Sequence, residues 1–269
     1  MPPTDEARAL YERHCSACHG VDGDGQGRAA RHLYPWPTDL RSGKFRLTST
    51  QNRIASRDDV LAVLQRGIPG TSMRAFDTLA IAQRERLAEE VLRLRRAGAR
   101  DRLAAELALE GEDLDPEQLE ELAATATQAG EPVTVPALDA GSAAAVARGK
   151  EMFFQQACHS CHGEDGAGAR DPPLWDDAGQ ATRARDLVHE AYKGGSEPAS
   201  VYLRIALGMP GTPHPAVANV DQRQMTDLVH FCRSLAREPQ RVLTNHQRAQ
   251  QATGPAYLSA REQNEGPKK

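Results

Sequence analysis

One six-residue pattern occurs twice, as Cys15-Ser16-Ala17-Cys18-His19-Gly20 and as Cys158-His159-Ser160-Cys161-His162-Gly163. No other feature constrains the fold as tightly. Thiols three positions apart face the same side of one helical turn, with a histidine directly behind the second. The two copies use four of the five cysteines and leave only Cys232, which reads as a small buried hydrophobe in the last helix. A chain of 269 residues is comfortable for two domains of about 100 residues each. Aromatic residues make up only 4% of it, which suits a core that is partly filled by a large flat ligand.

The chemistry of the pattern follows from its spacing. Cys15 and Cys18, and likewise Cys158 and Cys161, can each add to a vinyl group of one haem, and His19 or His162 is then placed under the iron. A thioredoxin-like dithiol or half of a zinc site also reads C-x-x-C. The first needs no histidine directly after the motif and sits near a β-α-β pattern, and the second expects a facing motif in a short module. The expectation is two haem c groups, one per half.

The halves repeat beyond the motif. Ala7-Arg8-Ala9-Leu10-Tyr11 precedes the first and Gly149-Lys150-Glu151-Met152-Phe153 the second, each reading as a helix with an apolar pair. Thr38-Asp39-Leu40 is matched by Arg185-Asp186-Leu187, and an aromatic–basic pair follows each aspartate: Phe45-Arg46 and Tyr192-Lys193. Helical stretches end at Gly67-Ile68-Pro69-Gly70-Thr71 and Gly208-Met209-Pro210-Gly211-Thr212, where Gly and Pro stop the helix and fix an extended loop. Each half closes with a helix of 3.6-residue period, carrying Ile81, Leu87, Val91 and Leu94 or Met225, Leu228, Phe231 and Leu235.

On these residues each half resembles a class I cytochrome c, over about 95 residues. The resemblance implies an all-α fold of two tandem class I cytochrome c domains, each wrapping one haem, with a distal ligand on the Gly/Pro loop. It also implies an aromatic of the last helix packed on the first helix. Phe231 matches that position, whereas the first half offers only Leu92 or a near neighbour.

The sixth ligands differ. Met73 ends the first loop, 54 residues after His19, and the resemblance implies that it ligates iron. In the second loop the register places His214, 52 residues after His162, where Met73 stands. Met209 is the alternative, although it aligns with Ile68. A thioether favours ferrous iron and a second imidazole disfavours it, so the low-potential haem is expected in domain 2. Arg46 and Lys193 are candidates to pair with haem propionates and Trp36 to touch haem 1. Each proximal histidine should donate its other ring nitrogen to a carbonyl, near Pro35, Pro37 or Pro172. His159, between its own cysteines, reads as surface.

The organisation expected is domain 1 over 1–98, a partly helical acidic linker over 99–141, domain 2 over 142–237 and a polar tail over 238–269. Net charges are +4, −9, −1 and +2 in that order, so the acidity lies between the motifs. Asp115-Pro116-Glu117-Gln118 reads as a helix start. The linker reads as a solvated spacer, with docking of its acidic helical pair on the basic first domain or on a basic partner as the alternative, and the tail as mobile unless a partner surface holds it.

No stretch approaches 20 apolar residues, so no transmembrane segment is expected. The N-terminus lacks an apolar h-region, and an exported, periplasmic protein without its signal peptide is expected. No second metal motif, Ser/His/Asp arrangement or phosphate loop supplies an enzyme site, and no nucleic-acid partner is expected. The reading is an electron carrier between redox partner proteins, acting alone or as the cytochrome subunit of a larger respiratory oxidoreductase. A dihaem peroxidase and a haem-based sensor are the alternatives.

Overall fold

The structure, a computed structural model, describes residues 5–112, 114–168 and 174–253. In chain order the helices are α1 (Asp5–His14), α2 (Ser16–His19), α3 (Arg57–Arg66), α4 (Ile81–Glu110), α5 (Pro116–Ala126), α6 (Ala143–Gln155), α7 (His159–His162), α8 (Pro198–Leu207) and α9 (Gln222–Leu235). A 3-10 turn spans Ala30–His32, and β1 (Leu174–Trp175) pairs antiparallel with β2 (Ala181–Thr182). The fold is all-α apart from that pair. Two compact units divide after Val133, with Ile68–Ser72 counted in the second. Among the described residues no helix is long and apolar enough to cross a membrane.

In the first unit α1 and α3 pack on α4. The expected apolar pair Leu10 and Tyr11 is buried together with Val60, Leu64, Leu87, Val91 and Leu94. Ile81 departs from expectation. It is 68% exposed, because it is the first residue of α4 and lies before the turn that meets the core. Ser56 caps α3 through a reciprocal bond set with Asp59, satisfying donors that a helix start leaves open.

The second unit repeats this plan, with α6 and α8 packed on α9. Met152 and Phe153 are buried against Leu228, Val229 and Phe231. The expected aromatic contact is present: the rings of Phe153 and Phe231 lie edge to face, with centroids 5.3 Å apart. Gly149 sets the crossing, because a Cβ there would collide with the Asp227 carbonyl. Arg148 clasps the buried Asp227 carboxylate from the same face, at 2.6 and 2.8 Å.

The acidic segment differs from a solvated spacer. α4 runs unbroken through position 98/99 to Glu110, since nothing after Leu94 stops it. Its Gly98 is tolerated because the Arg41 carbonyl approaches where a Cβ would stand. Gly111, at φ +77°, ends the helix in the left-handed cap. As expected, Asp115 caps α5 and Pro116 opens it. α5 then packs back on α4. The buried Arg95 guanidinium donates to the Thr127 and Ala55 carbonyls at 2.8 and 2.7 Å. Beyond α5, Gln51 N–H donates to the Glu131 carbonyl and Val133 N–H to that of Ser49. Residues 116–133 are thus folded on the first unit.

The tail also differs from a mobile one over its described part. Just before it, Arg237 N–H donates to the Val188 carbonyl at 2.8 Å, and within it Arg241 N–H donates to that of His189 at 2.5 Å. Residues from 254 onward lie outside the described residues.

Candidate functional site

Each C-x-x-C-H motif begins where a longer helix ends. Cys15 N–H bonds the Tyr11 carbonyl of α1, and Cys158 N–H that of Phe153 in α6, so each motif continues its helix by a turn. Cys15 is buried and Cys18, Cys158 and Cys161 are partly buried. Burial pushes the Cys15 thiol up to about 12 and raises Cys158 as well. Cys232 lies in the second core, as read, and burial takes it to about 12.

The chain then loops under each histidine along the same path. Gly25 N–H donates to the His19 carbonyl and Gly168 N–H to the His162 carbonyl, at 2.8 and 2.7 Å. Leu40 N–H returns to Gly23 and Leu187 N–H to Gly166. Two residues before each leucine lies the acceptor: the Thr38 carbonyl is 2.8 Å from His19 Nδ1, and the Arg185 carbonyl 2.9 Å from His162 Nδ1. The expected carbonyl partner exists in both halves, in the repeated triplet, and Thr38 directly follows Pro37. Pro172 lies outside the described residues. In each triplet the aspartate fixes the turn, Asp39 accepting from the N–H groups of Arg41 and Ser42, and Asp186 from those of Val188 and His189. Burial lowers both histidines, and the carbonyl bonds offset part of that.

The distal loops also share a backbone. Thr71 and Thr212 each turn back on the residue three before, Ile68 and Met209, through N–H and hydroxyl. Phe76 N–H bonds Leu64, as Val217 N–H bonds Ile205. Gly67 and Gly208 both have positive φ, and a Cβ on them would stand 2.6 Å from the carbonyl of Met73 and of His214 respectively. His214 therefore occupies the register position of Met73, and Met209 that of Ile68. Met73 is half-buried against the first core.

In the second unit the two imidazoles face each other. The His162 and His214 ring centroids are 6.1 Å apart, with planes at 73°. Two metal–imidazole bonds of about 2 Å leave about 2 Å for the two ring radii, so the gap fits one metal ion. His214 is neutral there: burial, ahead of the neighbouring His162, takes it down to about 4. Its Nδ1 is buried without a partner, unlike that of His162.

A family profile for cytochrome c matches residues 4–92 and 146–236. The chain belongs to the cytochrome c family. It is a tandem class I c-type cytochrome and a haem electron-transfer protein, with two covalently bound haem c groups. The cytochrome is also similar to a chain of the Kuenenia stuttgartiensis reducing HAO-like protein complex Kustc0457/Kustc0458. The identity is 25% and the TM-score 0.69, covering 87% of this chain and 97% of that one. No curated protein matches it.

Other expected residues fall in less defined places. Arg46 and Lys193 are half-buried beside Phe45 and Tyr192, and Trp36 is 37% exposed. His159 differs from a surface residue: its ring lies 4.8 Å from that of Phe154, with a buried Nδ1. Two features escaped the sequence reading. One is the Arg95 clasp. The other is an ion cluster behind the second proximal loop, in which the exposed Arg241 closes over Arg183, Arg185 and the buried Asp186 and Glu190. The run Arg183-Ala184-Arg185-Asp186 was the available signal, but Arg241 joins it from beyond α9.

Proposed function

We propose that this cytochrome is a two-site electron relay, with His19 and Met73 holding the iron of domain 1 and His162 and His214 that of domain 2. When bound, each haem c supplies a one-electron ferric/ferrous couple. Cys15, Cys18, Cys158 and Cys161 anchor the two groups through thioethers, and the Thr38 and Arg185 carbonyls hold the proximal imidazoles in one tautomer. Arg46 and Lys193 would pair with haem propionates and Trp36 would contact haem 1. The observation that carries the reading is the His162–His214 pair, facing at 6.1 Å with His214 in the register of Met73.

The ligand difference orders the sites. The thioether of Met73 favours ferrous iron, whereas the His214 imidazole is the stronger donor and favours ferric. Domain 2 is therefore the low-potential site, and transfer runs from domain 2 to domain 1. Donor and acceptor are redox proteins of the periplasm, and the cytochrome serves as a subunit of a larger oxidoreductase complex. Likeness to a chain of such a complex supports that role. Potentiometric titration followed by optical and EPR spectra tests the ligand reading. Two transitions are expected, the lower with a bis-imidazole signature. One shared transition, or a methionine-ligated spectrum for both irons, would sink it.

A further inference from the structure

The proximal turns of the two domains share a backbone but not their surroundings. In domain 1 the turn after Thr38 is neutral at the acceptor residue, and its Arg41 pairs outward with the exposed Asp101. In domain 2 the acceptor is the carbonyl of Arg185 itself, whose guanidinium lies 3.0 Å from the buried Glu190 carboxylate. Arg183 holds both oxygens of the same carboxylate, at 2.6 and 2.7 Å. Arg241 bridges Asp186 and Glu190 at 2.9 and 3.0 Å, brought there by its own N–H bond to the His189 carbonyl.

Burial alone would push Glu190 up, but Arg183 and Arg185 outweigh it and hold it below the usual carboxylate range. His189 bonds Asp186, and Arg248 adds a further positive field at Glu190. Three guanidiniums against two carboxylates leave one net positive charge; Arg183, Arg185 and both carboxylates are shielded from solvent, while Arg241 closes the cluster from the surface at 44% exposure. Ferric iron carries one more positive charge than ferrous, so such a charge favours the ferrous form.

We propose that this ion cluster sets the reduction potential of domain 2 independently of domain 1, with Arg241 of the tail as its positioning residue. The proposal rests on the reading of His162 as an iron ligand. It makes the segment after α9 part of the redox site.

The test is a redox titration of the holoprotein, with EPR separating the two irons. Arg241→Leu removes a positive charge that is partly screened by solvent, and should lower the reduced-to-oxidised ratio of haem 2 about threefold at a given applied potential. That is a fall of about 30 mV for one electron. Arg241→Lys should restore most of it. Glu190→Gln removes a negative charge and should move haem 2 upward, while haem 1 stays put in all three. Opposite signs are the decisive result, because mere loosening would move both variants the same way. Shifts of one sign, no shift, or equal shifts of both haems would overturn the proposal. Should Arg241→Leu fail to hold haem 2, Glu190→Gln against Arg241→Lys decides it. His162→Ala with an intact haem 2 spectrum would remove the underlying ligand reading, whereas unmoved potentials beside a normal spectrum remove only the role of the cluster.

Discussion

The loops 67–76 and 208–217 run the same backbone path with different side chains at the decisive position, Met73 in one and His214 in the other. The proximal turns at Asp39 and Asp186 are also built alike, yet one faces solvent-exposed partners and the other a buried set of ions. The repeat shares its hydrogen-bonded scaffolding and carries different side chains on it. The scaffold is local, and each bond joins residues a few positions apart or one loop away. What distinguishes the sites is carried by side chains that the scaffold presents but does not specify.

The comparison breaks most decisively if one motif is removed. Cys158→Ala with Cys161→Ala should leave one covalent haem per chain, with a purely His/Met spectrum, as counted by haemochrome absorbance. Retention of two haems would end the pairing of one motif with one site. Next in size is the distal swap. His214→Met should raise the potential of haem 2 toward that of haem 1, by a sizeable share of the roughly 0.8 V that axial ligands span. An unchanged potential would mean that His214 is not the ligand that separates the two.

Packing differences sharpen the comparison at smaller cost. Gly149→Leu forces side-chain atoms against the Asp227 carbonyl and should destabilise domain 2 by about 1–3 kcal/mol, measured by denaturant unfolding. At the matching position of domain 1, Ala7→Gly should cost about 1 kcal/mol through helix propensity. Arg95→Met leaves the Ala55 and Thr127 carbonyls unpaired and should cost about 1–3 kcal/mol. Hydrogen exchange should then speed up over 116–133 and leave domain 2 alone. The mildest test is acid. The Glu190 pKa is depressed on folding, so its contribution to stability is complete above the usual carboxylate range and fades as pH falls through its lower folded value. Glu190→Gln should flatten the acid limb of domain 2 unfolding.

The sequence alone determined the haem count, the all-α class and the register that gives His214 the loop position of Met73. Each of these is written in contiguous residues whose spacing fixes its own geometry, such as Cys158 to His162 or Gly208 to His214. Asp115-Pro116 was legible as a helix start for the same reason. Tertiary structure decided the rest. Residues 116–133 fold back on the first unit because Arg95, a helix residue in an acidic and basic run, is buried only once Thr127 and Ala55 converge on it. Arg241 becomes part of a redox site because the chain after α9 turns back along His189. A charged side chain reads as surface until the path of the chain brings it a buried partner, and that path depends on how whole helices pack rather than on any local pattern.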